Sequence, residues 1–359
     1  MNVLVLAPYR FDTAPGQRFR IEQWMPLLER AGVRFEFDAF MSQTLHEILY
    51  RPGRMLKKTA FLLRDYAVRL ARCLSPGRYD AIFLHREAAL IGPAWIERVL
   101  RASGIPIIYE FDDAIYVPYI SPSNKYLSYL KFPQKTATIC RLSSHVVVGN
   151  EILRDYAARH NSHVSIVPTT IDTEKYRPSC RYDWNGSLPV LGWSGSYSSV
   201  QYLEIVRPAL EKLARRRPFR LEIIGATTFQ MDEVPLNAQT WRAETEVEDL
   251  SRIQIGLMPL PDEDWAKGKC ALKALQYMAL GIPTVLSPVG VNRDVVRDGE
   301  NGFHAGSTDE WVDKLERLLA DAALRRRLGE AGRETVVRDY SAQVHAPRLL
   351  DILQSVARG

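Results

Sequence analysis

Four cysteines are scattered through the 359 residues, Cys73, Cys140, Cys180 and Cys270, and no two of them form a C-x-x-C pair. That spacing argues against a zinc site and against a disulfide framework, and fits a reducing cytoplasm. No stretch reaches the roughly 18 apolar residues of a membrane-spanning helix. The opening MNVLVLAPYR has a short apolar run with no basic region before it, so it reads as a first β-strand and not as a secretion signal. G-x-G-x-x-G is missing after the first strand of either half, and G-x-x-x-x-G-K-[ST] is missing altogether. A dinucleotide-dependent dehydrogenase is disfavoured and a P-loop kinase excluded.

What is present is an ordinary globular composition, 46% hydrophobic and 25% charged, long enough for two cored domains. Apolar runs of strand length alternate with helical patterns: NVLVLA (2–7), RFEFDA (34–39), AIFLHR (81–86), PIIYEF (106–111), HVVVGN (145–150) and VSIVPT (164–169). After a polar, Pro- and Gly-containing stretch at 177–189, read as a linker, the alternation restarts. It gives VLGWSGS (190–196), FRLEIIGA (219–226), QTWRA (239–243), IQIGLMPL (253–260) and IPTVLS (282–287), with helices near 198–216, 245–251, 270–280 and 308–320. Continuous apolar strands between helices imply parallel sheets covered on both faces. The expected organisation is an N-terminal Rossmann-like domain over 1–178, a C-terminal one over 186–340, and a final helix at 341–359 that packs back across the boundary. Two such domains would face a shared ligand cleft at the carboxyl ends of their strands.

The net charge of +5 is uneven. Between Tyr50 and Arg78 stand Arg51, Arg54, Lys57, Lys58, Arg64, Arg69, Arg72 and Arg78 against one acid, Asp65, and apolar residues recur at helical spacing from Met55 to Leu74. The pattern suits a basic amphipathic helix on an anionic membrane, through Arg54, Lys57 and Lys58, or else a solvated helix face. Aromatics are not interleaved with the charges, so nucleic acid is not the expected partner.

Small residues follow the first strand of each half, Gly16 in one and Ser194, Gly195 and Ser196 in the other, with Gly225 closing FRLEIIGA. They suit close approach of backbone N–H groups to a phosphate. GKCALKALQYMALGIP (268–283) adds cations to a helix start. With a helix beginning near Cys270, the N–H groups of Cys270, Ala271 and Leu272 would form an anion site with Lys269 at its entrance. Lys269, Lys273 and Gln276 at i, i+4 and i+7 would share a stripe, with Gln276 placed to hold a ribose diol. The alternative is a solvated edge with two lysines whose stems lie along apolar surface.

KALQYMALGIPTVLSPVG resembles the donor-site segment of the GT-B glycosyltransferases, in particular the retaining group known as family 4, whose motif runs E-x7-E-A-M-A-x-G-x-P-V-V. VVVGNEIL, VPTTIDTEKYRP and DVVRDGENGFH extend the likeness over nearly the whole chain. The resemblance implies a GT-B fold, and transfer of a sugar from a nucleotide-sugar (UDP-, GDP- or ADP-sugar) to a glycan, lipid-linked or other small acceptor. It also implies retention of anomeric configuration, no metal and no other cofactor, with donor on the second domain and acceptor on the first. Localisation would be cytoplasmic or at the inner membrane face.

The chain departs from the motif where its two acids belong, carrying Gly268 and Gln276. The Arg and Lys that the family places after the second domain's first strand are absent from GWSGSYSS, and Lys269 and Lys273 take over that charge. Asp262 and Asp264 stand near enough upstream to meet sugar hydroxyls; as a D-x-D metal motif they sit in the wrong architecture. Where the family has a catalytic histidine, this chain has Asp112 in YEFDDAIY, with His85 ending the preceding strand. Asp112 is otherwise a helix cap and His85 a hydrogen-bonded core histidine. These substitutions leave two other functions open, a catalytically silent GT-B partner subunit and a GT-B sugar epimerase.

Overall fold

The computed structural model describes residues 1–49, 53–118, 132–178, 182–184 and 186–358; Arg51 and Cys180 lie outside these. Two compact units emerge. One comprises Met1–Thr169 with His345–Gly359, the other Thr170–Val344.

The first unit holds β1 (Asn2–Ala7), β2 (Arg34–Ala39), β3 (Ala81–His85), β4 (Ile107–Phe111), β5 (His145–Val148) and β6 (Val164–Ile166) in a parallel sheet of order β2-β1-β3-β4-β5-β6. β3 and β4 are buried along their whole length, whereas the edge strand β2 is half exposed. Their unbroken apolar runs are what two covered faces require. The second unit repeats the plan with β7 (Val190–Ser194), β8 (Arg220–Ile224), β9 (Leu236–Gln239), β10 (Ile255–Met258), β11 (Thr284–Leu286) and β12 (Phe303–His304), in the order β12-β11-β10-β7-β8-β9. Its core joins Leu191 and Trp193 of β7 to Leu203, Val206 and Leu210 of the Leu203–Ala214 helix and to Trp311 and Leu315 of the Thr308–Ala320 helix. A capping box between Ser307 and Glu310 starts the latter.

Three expectations shift. The strand expected at 239–243 is Leu236–Gln239. It is a half-exposed edge strand, and Trp241 beyond it turns its indole N–H to the Glu246 carboxylate at 2.9 Å. A helix not legible in the pattern runs Ala322–Asp339, capped by Asp321, whose carboxylate accepts the Leu324 N–H. Its polar, arginine-rich sequence hides a face of small residues: a Cβ on Gly329 would lie 2.1 Å from the Gly281 carbonyl oxygen. Backbone contact, not side-chain bulk, seats this helix.

The third shift concerns the stretch read as a linker. Its described residues are built into the second unit: the Tyr182 hydroxyl donates to the Gly281 carbonyl, and Arg325 lies 3.7 Å over the Trp184 ring. The segment before it is held there too. Arg333 donates to the carbonyls of Thr173 and Ala279, and Ile171 pairs with Ser341. Residues 170–178, expected with the N-terminal domain, therefore belong to the second unit. No helix among the described residues is long and apolar enough to cross a membrane.

Candidate active-site residues

In the first unit the ends of β3 and β4 collect buried charge. Glu110, one residue from the end of β4, receives Arg20 at 2.7 Å and faces His85 Nδ1 across 2.5 Å. Burial alone would raise the Glu110 carboxyl, but Arg20 and His85 together hold it below the usual range. The carboxylate against Nδ1 fixes the orientation of the imidazole ring. Asp112 just beyond β4 accepts from Arg86 Nε at 3.0 Å and Nη2 at 2.7 Å, and Arg86 also reaches Asp113 at 2.6 Å. Burial and the nearby Glu110 charge push Asp112 up, but Arg86 together with His85 and Arg20 outweighs them, so its pKa is lowered. Arg86 itself sits at φ +59°, a left-handed conformation uncommon outside glycine.

His85 and Asp112 thus lie in one polar cluster, and neither is a lone group. His85 is oriented by Glu110, and Asp112 is a partner of Arg86. Gly16 lies against the same cluster. A Cβ there would come within 3.2 Å of Arg86 Nη2 and 3.5 Å of Asp112 Oδ2, so its small size admits the ion pair. Arg20, Arg86 and Glu110 escaped sequence reasoning; the signal was a set of charges in or beside otherwise apolar strand ends.

In the second unit the loop after β7 does not offer the anion cradle expected of it. The Ser194 N–H donates to the Tyr277 hydroxyl at 2.7 Å, the Gly195 N–H to the Ile224 carbonyl at 2.9 Å, and the Ser196 N–H to Ser199 Oγ at 3.1 Å. All three donors have internal acceptors. Gly195 and Gly225 are required by packing: a Cβ on Gly225, at φ +102°, would fall 1.9 Å from the Gly195 carbonyl oxygen. What remains outward is hydroxyl-rich, with Ser196 Oγ 2.9 Å from Ser198 Oγ and the Tyr197 hydroxyl 3.1 Å from Thr227.

The helix expected from Cys270 begins at Leu272 and ends at Ala279. Ala271 caps it in a left-handed conformation, φ +55°, fully buried. Non-glycine residues adopt that region at a cost of order 1–2 kcal/mol and hold it where surrounding structure dictates. Lys269 consequently precedes the helix, and Cys270 is buried beside it. Lys269 and Lys273 are both half-buried, each with its ammonium over an indole, Trp265 at 5.7 Å and Trp193 at 5.6 Å. Through Trp193 and the Tyr277–Ser194 bond, this helix is tied to the end of β7.

Gln276 departs from expectation. It is 3% exposed, and its amide donates to Glu246 Oε1 at 3.0 Å and the Tyr176 hydroxyl at 3.3 Å, so it is a core residue and not a ribose ligand. Glu246 also accepts from Tyr176 at 2.7 Å. Asp262 and Asp264, expected near a sugar, are exposed and both pair with Lys267, at 3.2 and 3.6 Å. Asp264 reaches Lys267 at i,i+3, and Asp262 meets the same lysine from five residues before it.

Against known proteins, residues 263–335 match the family model described as glycosyl transferases group 1. The chain is 24% identical to a phosphatidyl-myo-inositol mannosyltransferase of Mycobacterium leprae, over 99% of this chain and 97% of that one. It is 21% identical to the sulfoquinovosyl transferase SQD2 of Arabidopsis thaliana, over 92% and 69%. Among solved structures, Anabaena HepE in complex with UDP and glucose superposes with a TM-score of 0.67 at 13% identity, covering 99% of this chain and 100% of that one. Sucrose-phosphate synthase from Thermosynechococcus elongatus gives 0.66 at 14% identity over 99% of both chains. The two parallel six-stranded sheets are those of the GT-B fold.

Proposed function

Since the chain is a GT-B glycosyltransferase of the group 1 type, we propose that it draws on a nucleotide-sugar donor and transfers the sugar with retention, holding the donor diphosphate on the second unit. The observation that carries this is where the family match falls. Residues 263–335 contain the helix entrance at which Lys269 and Lys273 are half-buried over indole rings, tied by Tyr277 to the end of β7. Cations fixed in a partly dry setting act most strongly on charge that grows during reaction, here the departing diphosphate. They supply by side chain what the family's missing Arg and Lys would supply.

On the first unit the proposed acceptor groups are His85, whose ring Glu110 orients through Nδ1, and Asp112, paired with Arg86. In its neutral form, with the proton on Nδ1, such an imidazole receives an acceptor hydroxyl at Nε2. Asp112 is placed to favour positive charge developing on the sugar. UDP leads among the candidate nucleotides, because the HepE structures hold UDP and UDP-glucose. A lipid-linked acceptor is favoured by the name of the mycobacterial relative.

The test joins product analysis to binding. With UDP-, GDP- and ADP-sugars offered alongside lipid-linked and glycan acceptors, a transferase releases nucleoside diphosphate and forms a new glycoside. An epimerase alters only the donor sugar, and a silent subunit does neither. Retention is read from the anomeric proton coupling of the product. Lys269→Met and Lys273→Met should each weaken nucleoside diphosphate binding by about 1.5–3 kcal/mol, the scale of a hydrogen bond to a charged group. Parent-like affinity in both variants would remove the donor site from this helix.

A further inference from the structure

The Met55–Leu74 helix turns an apolar stripe to water. Its most buried row is largely polar: Asp65 accepts the Ser42 N–H at 2.9 Å, Arg69 donates to the Asp38 carbonyl at 2.9 Å and pairs with its carboxylate, and Cys73 completes the row, with Phe61, Leu62, Tyr66 and Leu70 half-buried on either side. At about 100° per residue, Leu56, Ala60, Leu63, Ala67 and Leu74 fall on one opposite stripe. All are exposed, Leu56 by 91%, Leu63 by 59% and Leu74 by 67%, with Val68 beside them at 60%. A soluble helix puts its apolar stripe inward. A continuous apolar face turned outward marks a surface that leaves water when the protein works.

Charge decides the occupant. Arg54, Lys57, Arg64 and Arg78 are exposed along this segment, and its one acid, Asp65, is buried. Lys58, expected among the outward cations, is half-buried. The Trp95–Ala102 helix packs alongside, and its first residue, Trp95, is 62% exposed. Leucines flanked by lysine and arginine, with a tryptophan near, are the chemistry of an anionic bilayer's interface. A second copy fits poorly, since a two-fold contact through this face would set the same cations against one another.

We propose that the Met55–Leu74 helix docks the protein on anionic lipid, its leucine stripe entering the headgroup–acyl boundary and its cations meeting the headgroups. The first unit is then the membrane-facing one.

Sedimentation with phosphatidylcholine vesicles, with and without phosphatidylglycerol, tests this on the full chain. Wild type should pellet with phosphatidylglycerol-containing vesicles only. Lys57→Glu with Arg64→Glu should weaken that binding by at least about tenfold, given the attraction each cation contributes near an anionic surface. Leu56→Ser with Leu63→Ser should weaken it by a similar factor through lost apolar burial. The four side chains are exposed, so both double variants should melt as wild type does, which separates lost docking from lost folding. Wild type remaining in the supernatant, either variant binding undiminished, or a dimer in the ultracentrifuge that the leucine variant breaks would overturn the proposal. The assay reads no turnover, so its failure would leave the enzymatic reading standing.

Discussion

Replacing Gln276 with glutamate would restore the acid that the group 1 motif carries on this helix, and the structure predicts that it destabilises the second unit in a pH-dependent way. The amide nitrogen of Gln276 lies 3.0 Å from Glu246 Oε1, with both residues buried. An ionised carboxylate at 276 would set two negative oxygens at that separation, a repulsion of about 5 kcal/mol even at an effective dielectric constant near 20. Retaining one proton in the pair costs less. For a carboxyl group with an unfolded pKa of about 4.3, it amounts to about 1.4 kcal/mol per pH unit above that value, hence about 3.7 kcal/mol at pH 7 and about 1 at pH 5. The sign follows from a raised folded-state pKa: the protonated form donates as the amide did, and stability is lost as pH rises. For a unit of this size, 1 kcal/mol moves the melting point by roughly 2–4 °C. Thermal melts should therefore show Gln276→Glu falling roughly 7–15 °C below wild type at pH 7 and only a few degrees below it at pH 5. Gln276→Ala, which loses the donor without adding charge, should show a deficit independent of pH. Equal losses for Gln276→Glu at both pH values, or none at pH 7, would refute the network drawn around Glu246.

The buried Glu110 makes a complementary prediction in acid. Its pKa is depressed by Arg20 and His85, so its contribution is present above the unfolded carboxyl value near 4.3 and is lost as pH falls through the lower folded value. Glu110→Gln should cost about 3–5 kcal/mol in urea unfolding at pH 7, because Arg20 is left buried without its charge partner, and should shrink toward wild type in acid. The thiols of Cys73 and Cys140 are pushed up by burial to about 12. Peptide mapping after alkylation at pH 8 should find both unmodified in the native protein and labelled on unfolding.

Strand-length apolar runs such as NVLVLA and AIFLHR determined the two parallel sheets, because a strand buried on both faces has no other composition available to it. The spacing around GKCALKALQYMALGIP likewise announced a helix with cations at its entry. Periodicity could not show the Ala322–Asp339 helix, seated by backbone contact at Gly329, or β12, which is only Phe303–His304. Partners were beyond it as well. Gln276 reads as a ribose ligand until Glu246 and Tyr176, distant in sequence, close around its amide. Asp112 reads as an isolated catalytic acid until Arg86 reaches it, and Ser194–Ser196 as a phosphate loop until Tyr277, Ile224 and Ser199 accept its N–H groups. The direction of the Met55–Leu74 helix was the last to be settled. Its pattern shows helical spacing of apolar and charged residues, but which of them meet water was decided only when the edge of the first sheet offered Asp38 and Ser42 to Arg69 and Asp65, turning Leu56, Leu63 and Leu74 outward.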